Sequence, residues 1–186
     1  MFIIKNNYYL YIKKTKDIDL NRIKKNKKIT IIYRNEGIKE KSVDLCKFRK
    51  HCKAKSFKFY ISNHISLLRI CRADGLYLSS YNKKTYLNKN LKLIGSAHSF
   101  KEINEKIKQG CKTIFLSRLF ETSYKNKKGY LDIVKFNLII NKYNITIIPL
   151  GGIRASNLNK LNMVNSKGLA LLSEAKKKPA ITSRLF

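Results

Sequence analysis

Carboxylates are scarce in this chain: 11 Asp and Glu stand against 41 Lys and Arg, a formal charge of +30 over 186 residues. That imbalance points to polyanions or phosphorylated small molecules as partners. Long apolar runs are missing too. None approaches the ~20 residues of a membrane span, so no membrane-spanning role is expected. The opening Met1-Phe2-Ile3-Ile4-Lys5 lacks the apolar core and cleavage site of a secretory signal, and a cytosolic location is expected. Cys46, Cys52, Cys71 and Cys111 show no paired C-x-x-C spacing. They read as four reduced thiols with no metal cluster, Cys71 and Cys111 packing as small hydrophobes. No segment interleaves arginine with aromatic residues as a nucleic-acid platform does.

The positive charge is mostly lysine spread along the whole chain among abundant Asn, Ile, Tyr and Phe, which reads as a coding bias. Short basic clusters stand at Lys24-Lys25-Asn26-Lys27-Lys28, Lys125 to Lys128 and Lys176-Lys177-Lys178. Runs of this kind are usually solvated faces, so a nucleic-acid footprint is the less favoured reading.

Short β-branched and aromatic runs recur along the chain. Tyr8 to Ile12, Ile29 to Tyr33, Phe57 to Ile61 and Gly75 to Leu78 read as strands, followed by Leu93 to Gly95, Thr113 to Leu116, Ile145 to Leu150 and Gly168 to Leu172. Helical patterns lie between most of them. Asp17 to Ile23 offers a brief helix, Ser42 to Lys53 carries Val43, Cys46 and Phe48, and Ile65 to Arg72 follows. Ser99 stands three residues before Glu102, heading a stripe of Phe100, Ile103 and Ile107 that Gly110 closes: a capping box on an amphipathic helix. Leu131, Val134 and Leu138 mark another helix, and Leu158 and Leu161 face inward from a short one over Ser156 to Val164.

Eight buried strands alternating with helices predict a compact (β/α)₈ barrel, one domain over residues 1–186 with shortened N-terminal units. Barrels of this kind usually run to about 250 residues, so this one must be stripped down. An open doubly wound sheet is the alternative, but the first strand has no G-x-G-x-x-G turn.

Chemistry in a barrel collects just after each strand. That rule selects Arg34 and Glu36, Asn63 and His64, Asn82, Ser96 and His98, Thr122 and Lys125, Gly151 and Gly152, and Ser173. This ring is rich in cations and hydroxyls and poor in carboxylates. It suits phosphate held by Arg, Lys and main-chain amides, and disfavours paired-carboxylate catalysis. The glycine pair ending Ile145-Thr146-Ile147-Ile148-Pro149-Leu150-Gly151-Gly152 and the run Gly168-Leu169-Ala170-Leu171-Leu172-Ser173 make Gly151, Gly152, Leu172 and Ser173 a candidate phosphate site. Two ordinary turns are the plain alternative. A Ser/Cys–His nucleophile pair around Ser96 and His98 is the weaker reading of that segment.

At these positions the chain resembles the thiamine phosphate synthase and thiazole tautomerase superfamily of phosphate-binding barrels. The carriers are Ser96-Ala97-His98-Ser99, Phe120-Glu121-Thr122-x-x-Lys125, Leu150-Gly151-Gly152-Ile153 with Asn157, and Gly168 to Ser173, within a stretch from Ala73-Asp74-Gly75 to Ala175. The resemblance implies joining hydroxymethylpyrimidine pyrophosphate to thiazole phosphate with release of pyrophosphate. Carried over by position, Gly152 and Ser173 hold the thiazole phosphate, while Arg34, Ser96, Thr122 and Lys125 hold the departing pyrophosphate.

It also implies Mg²⁺, yet the family's two magnesium-binding aspartates fall on Asn63 and Asn82, neutral amides that suit a hard cation less well. Tyr124 stands where the synthase loop carries a second threonine. Glu121 is closer to the tautomerase, whose loop histidine aligns with Arg118; His98 is then the nearby imidazole for proton transfer. A tautomerase, or a phosphate-binding barrel without the synthase step, is therefore a second expectation. A non-enzymatic nucleic-acid binder is the third.

Overall fold

The computed structural model describes residues 5–35, 37, 40–122 and 129–171. Among them, eight parallel strands run in the order β7-β6-β5-β4-β3-β2-β1-β8: Asn7–Ile12 (β1), Ile29–Tyr33 (β2), Lys58–Ser62 (β3), Gly75–Leu78 (β4), Leu93–Ala97 (β5), Thr113–Ser117 (β6), Thr146–Leu150 (β7) and Gly168–Leu171 (β8). The register pairs Tyr8 with Ile29, Thr30 with Lys58, Ile94 with Thr113 and Asn7 with Gly168. The sheet comes close to closing between β7 and β8. There Ser166 Oγ lies 2.9 Å from Ile147 O and 3.0 Å from Gly168 O. A β-carbon on Gly168 would come within 2.9 Å of both Ile148 Cδ1 and Asn7 O, so only glycine lets the last strand reach the seam. The expected barrel is what the chain forms.

Side chains alternate across every strand. Tyr9, Tyr11, Ile32, Tyr60, Tyr77, Ile94, Phe115, Ile148, Leu150 and Ala170 fill the lumen. Leu10, Ile12, Ile31, Tyr33, Phe59 and Ile61 pack outward. In the lumen, Tyr9 meets Phe115 edge-on at 4.9 Å and Tyr11 meets Tyr77 at 5.5 Å between ring centroids. Each such ring, fully buried, favours the fold by about 2–3 kcal/mol relative to exposure.

The barrel is short because three of its seven crossovers, β1–β2, β4–β5 and β7–β8, carry no α-helix. Helices Ser42–Ala54 (α1), Ile65–Cys71 (α2), Phe100–Lys108 (α3) and Asp132–Ile140 (α4) cover four connections. The β1–β2 link makes two single 3₁₀ turns, Thr15–Asp17 and Leu20–Arg22, and the β7–β8 link a 3₁₀ run, Ala155–Met163, that buries Leu161. The capping box is real at α3 but skewed: Ser99 Oγ accepts from Glu102 N at 3.3 Å, while the Glu102 carboxylate accepts from His98 N at 2.7 Å, one residue outside the cap.

The α4 stripe differs from the expected one. Ile133 and Phe136 are buried, while Val134 and Leu138 are 68% and 59% exposed. This helix is apolar nearly all round, so spacing alone admits two rotations. Leu131 N donates to Arg118 O (2.8 Å) and Asp132 N to Leu119 O (2.9 Å), and these bonds set the one adopted.

Candidate functional site

Because all eight strands are parallel, their carboxyl ends share one rim, and those of the singled-out residues that are described follow the strands onto it. Arg34 leaves β2 with its amide bonded to Ile12 O at 2.8 Å. Its positive charge acts on the phenols of Tyr11 and Tyr77 at the top of the lumen. Burial drives both phenols above the usual tyrosine range, and Arg34 offsets only part of that. Ser96 lies on β5, buried, where its hydroxyl offsets part of the rise of the Tyr77 phenol.

Asn63 ends β3 in the left-handed region (φ 58°), which asparagine tolerates better than most residues. Its Oδ1 accepts from Ser79 N (3.1 Å) and Asn82 Nδ2 (2.8 Å), and its Nδ2 donates to Ser79 Oγ (2.9 Å). Asn82 Oδ1 accepts from Lys84 N at 2.8 Å. Behind this pair Lys106 of α3 is wholly buried, its Nζ donating to Asn82 O at 2.7 Å and to Gln109 Oε1 at 2.8 Å. Burial lowers the pKa of that ammonium. Its stem passes over Gly95, where a β-carbon would meet Lys106 Cδ at 2.9 Å.

These residues do not fit a magnesium ion. Mg²⁺ wants carboxylate, phosphate or water oxygens, whereas both amide oxygens here already face N–H donors, and a buried ammonium sits behind one of them. Among the described residues no three His, Cys, Asp or Glu side chains come together as a metal site.

Across the rim, the loop leaving β6 is docked on the glycine turn that ends β7. Leu119 N donates to Leu150 O (3.1 Å) and Phe120 N to Gly151 O (3.2 Å). Gly151 and Gly152 have φ of +91° and +72°. A β-carbon on Gly152 would lie 2.3 Å from Phe120 O, and one on Gly151 would lie 3.2 Å from Arg118 Cγ. The bare α-carbons expected to admit a ligand are thus occupied by this loop on their side-chain faces. Arg118 Nη1 donates to Thr122 Oγ1 at 3.1 Å, and Asn157 Nδ2 braces Gly152 O at 2.8 Å.

His98 reaches toward the neighbouring strand, its Nδ1 lying 3.0 Å from Ser117 Oγ. The parallel register, Ala97 beside Leu116, brings the ends of β5 and β6 together. Glu36, Tyr124, Lys125, Leu172 and Ser173, with the basic runs at 125–128 and 176–178, lie outside the described residues. Three side chains were not selected by position: Ser117, Lys106, and Arg118 as more than an alignment partner. A concavity of about 690 Å³ lined by Ile107, Cys111, Tyr143 and Ile145 opens at the opposite rim, where barrel residues serve stability. No described helix is long and apolar enough to cross a membrane.

A nearly closed (β/α)₈ barrel whose carboxyl rim carries two arginines, neutral amides and a braced glycine turn defines an α/β barrel suited to anionic ligands. The chain belongs to the thiamine monophosphate synthase family, which it matches over residues 15–175. It is 28% identical over 128 residues to a thiamine-phosphate synthase of Prochlorococcus marinus, covering 66% of this chain and 36% of that protein. Another, from Dictyoglomus turgidum, is 24% identical over 155 residues, covering 80% and 69%. The chain thus spans little more than a third of the first relative's length. Among solved structures, thiamine phosphate pyrophosphorylase from Pyrococcus furiosus superposes with a TM-score of 0.74 at 14% identity, over 97% of this chain and 92% of that one, a likeness of fold.

Proposed function

We propose that the protein is a thiamine phosphate synthase-like transferase joining hydroxymethylpyrimidine pyrophosphate to thiazole phosphate. The observation that supports it best is the β6 loop docked on the Gly151–Gly152 turn, with Arg118 and Thr122 linked above it, on the rim where barrels of this kind carry their chemistry.

In this reading the bond between the pyrimidine methylene carbon and the pyrophosphate oxygen breaks, and the electron pair leaves with pyrophosphate. The thiazole nitrogen then donates its lone pair to the cationic carbon. Arg34, Ser96, Thr122 and Lys125 hold the departing anion, and Gly151 and Gly152, with Leu172 and Ser173, hold the thiazole phosphate. Donors fixed before the reaction stabilise leaving-group charge without reorganising. The lumen rings close the floor beneath the pyrimidine and keep water from the cation. No step is assigned to Mg²⁺.

The neutral Asn63–Asn82 pair favours a second reading, a thiazole phosphate-binding barrel, tautomerase or otherwise, without the synthase step. Incubating the protein with both substrates, with Mg²⁺ and with chelator, separates the two. Pyrophosphate and thiamine phosphate in equal amounts are expected; thiazole phosphate binding with no pyrophosphate under either condition selects the second.

A further inference from the structure

We infer that Arg118 is a phosphate clamp of this rim, its guanidinium binding the phosphate monoester of the thiazole substrate directly. The inference rests on the proposed phosphorylated ligand and adds a residue that position-by-position resemblance does not supply.

Arg118 is the first residue beyond β6, so its side chain starts on the carboxyl rim. The stem covers the bare α-carbon of Gly151, whose missing β-carbon would stand 3.2 Å from Arg118 Cγ and 3.5 Å from its Cβ. Its head is steered by Nη1–H to Thr122 Oγ1 at 3.1 Å. The backbone beneath is fixed at both ends: Leu131 N bonds Arg118 O, and Leu119 N bonds Leu150 O. Stem, head and backbone are each held before any ligand arrives, which lowers the entropic cost of engaging an anion. A guanidinium presents a planar fork of N–H donors that matches phosphate oxygens two at a time.

The alternative role for this position, proton transfer, needs an imidazole, which arginine does not carry. The loop is therefore built to hold charge and not to move a proton.

Calorimetric titration of the wild type, R118M and R118K with thiazole phosphate, and with the same thiazole as its unphosphorylated alcohol, tests the clamp. R118M is expected to weaken thiazole phosphate binding about 10- to 100-fold, the usual scale for a lost charge-assisted bond. R118K, with a point charge on a similar stem, should fall between, and alcohol binding should not change. Circular dichroism of both variants checks that the fold is kept, and R118K carries the test if R118M does not fold. Unchanged affinity of R118M for the phosphate, or an equal loss for the alcohol, overturns the clamp alone. A wild type that binds no thiazole phosphate overturns the clamp and the proposed function together.

Discussion

Asn82 Nδ2 donates to Asn63 Oδ1 across 2.8 Å, joining the tip of β3 to the β4–β5 connection by two neutral side chains. Where carboxylates would repel one another unless a cation lay between them, amides bond directly. The rim is thus self-sufficient at this point.

Restoring charge should change that. The double variant N63D/N82D is expected to gain saturable Mn²⁺ binding, followed by electron paramagnetic resonance, while the wild type shows none. Saturable binding by the wild type at this pair contradicts the account, as does a double variant that folds but stays silent.

Gly152 is held between strand and loop. Gly152→Ala puts a β-carbon 2.3 Å from Phe120 O, a main-chain atom that cannot step aside alone. A loss of at least about 2 kcal/mol is expected, combining the clash with the cost of a positive φ. For a chain of this size that lowers the melting temperature by roughly 4–8 °C. Gly129→Ala, at φ +79° with nothing within 4 Å, carries only the backbone part and is the control. Equal melting temperatures for the two would mean the loop does not dock on Gly152.

Alkaline pH should destabilise the protein. Burial pushes the Cys52 and Cys111 thiols from 9.0 up to about 12, so between those values the folded state keeps protons that the unfolded chain releases. Stability then falls as pH rises from about 9, by up to about 1.4 kcal/mol per pH unit for each thiol. Lys106 works the other way below 10.5: its lowered folded value means the unfolded chain binds more protons there, so its contribution improves with pH up to that point. The steepest loss is therefore expected above pH 10.5. Denaturant titrations at pH 8, 10 and 11 measure it, and in C52A/C111A the slope should shrink.

Much of the barrel was legible because Ile29–Tyr33 and its counterparts are β-branched or aromatic almost throughout, and because Ser99 and Glu102 mark the start of α3 unambiguously. The inward face of α4 was not, since an apolar ring of residues supports two rotations and loop bonds at Leu131 and Asp132 decide between them. Partners that depend on adjacent strands were hidden as well. Ser117 and His98 lie 19 residues apart and meet only through the β5–β6 register. The burial of Lys106 was hidden too, because the room for its stem is made by Gly95, on another element.

The claim on which the rest depends is that phosphoryl groups are held at the carboxyl rim, between the β6 loop and the β7 glycine turn. A crystal structure of the complex with thiazole phosphate tests it most directly. The account predicts the phosphate within hydrogen-bonding reach of the Arg118 guanidinium and the Gly152 main chain. Phosphate density at the opposite rim, beside Tyr143 and Ile145, would contradict it.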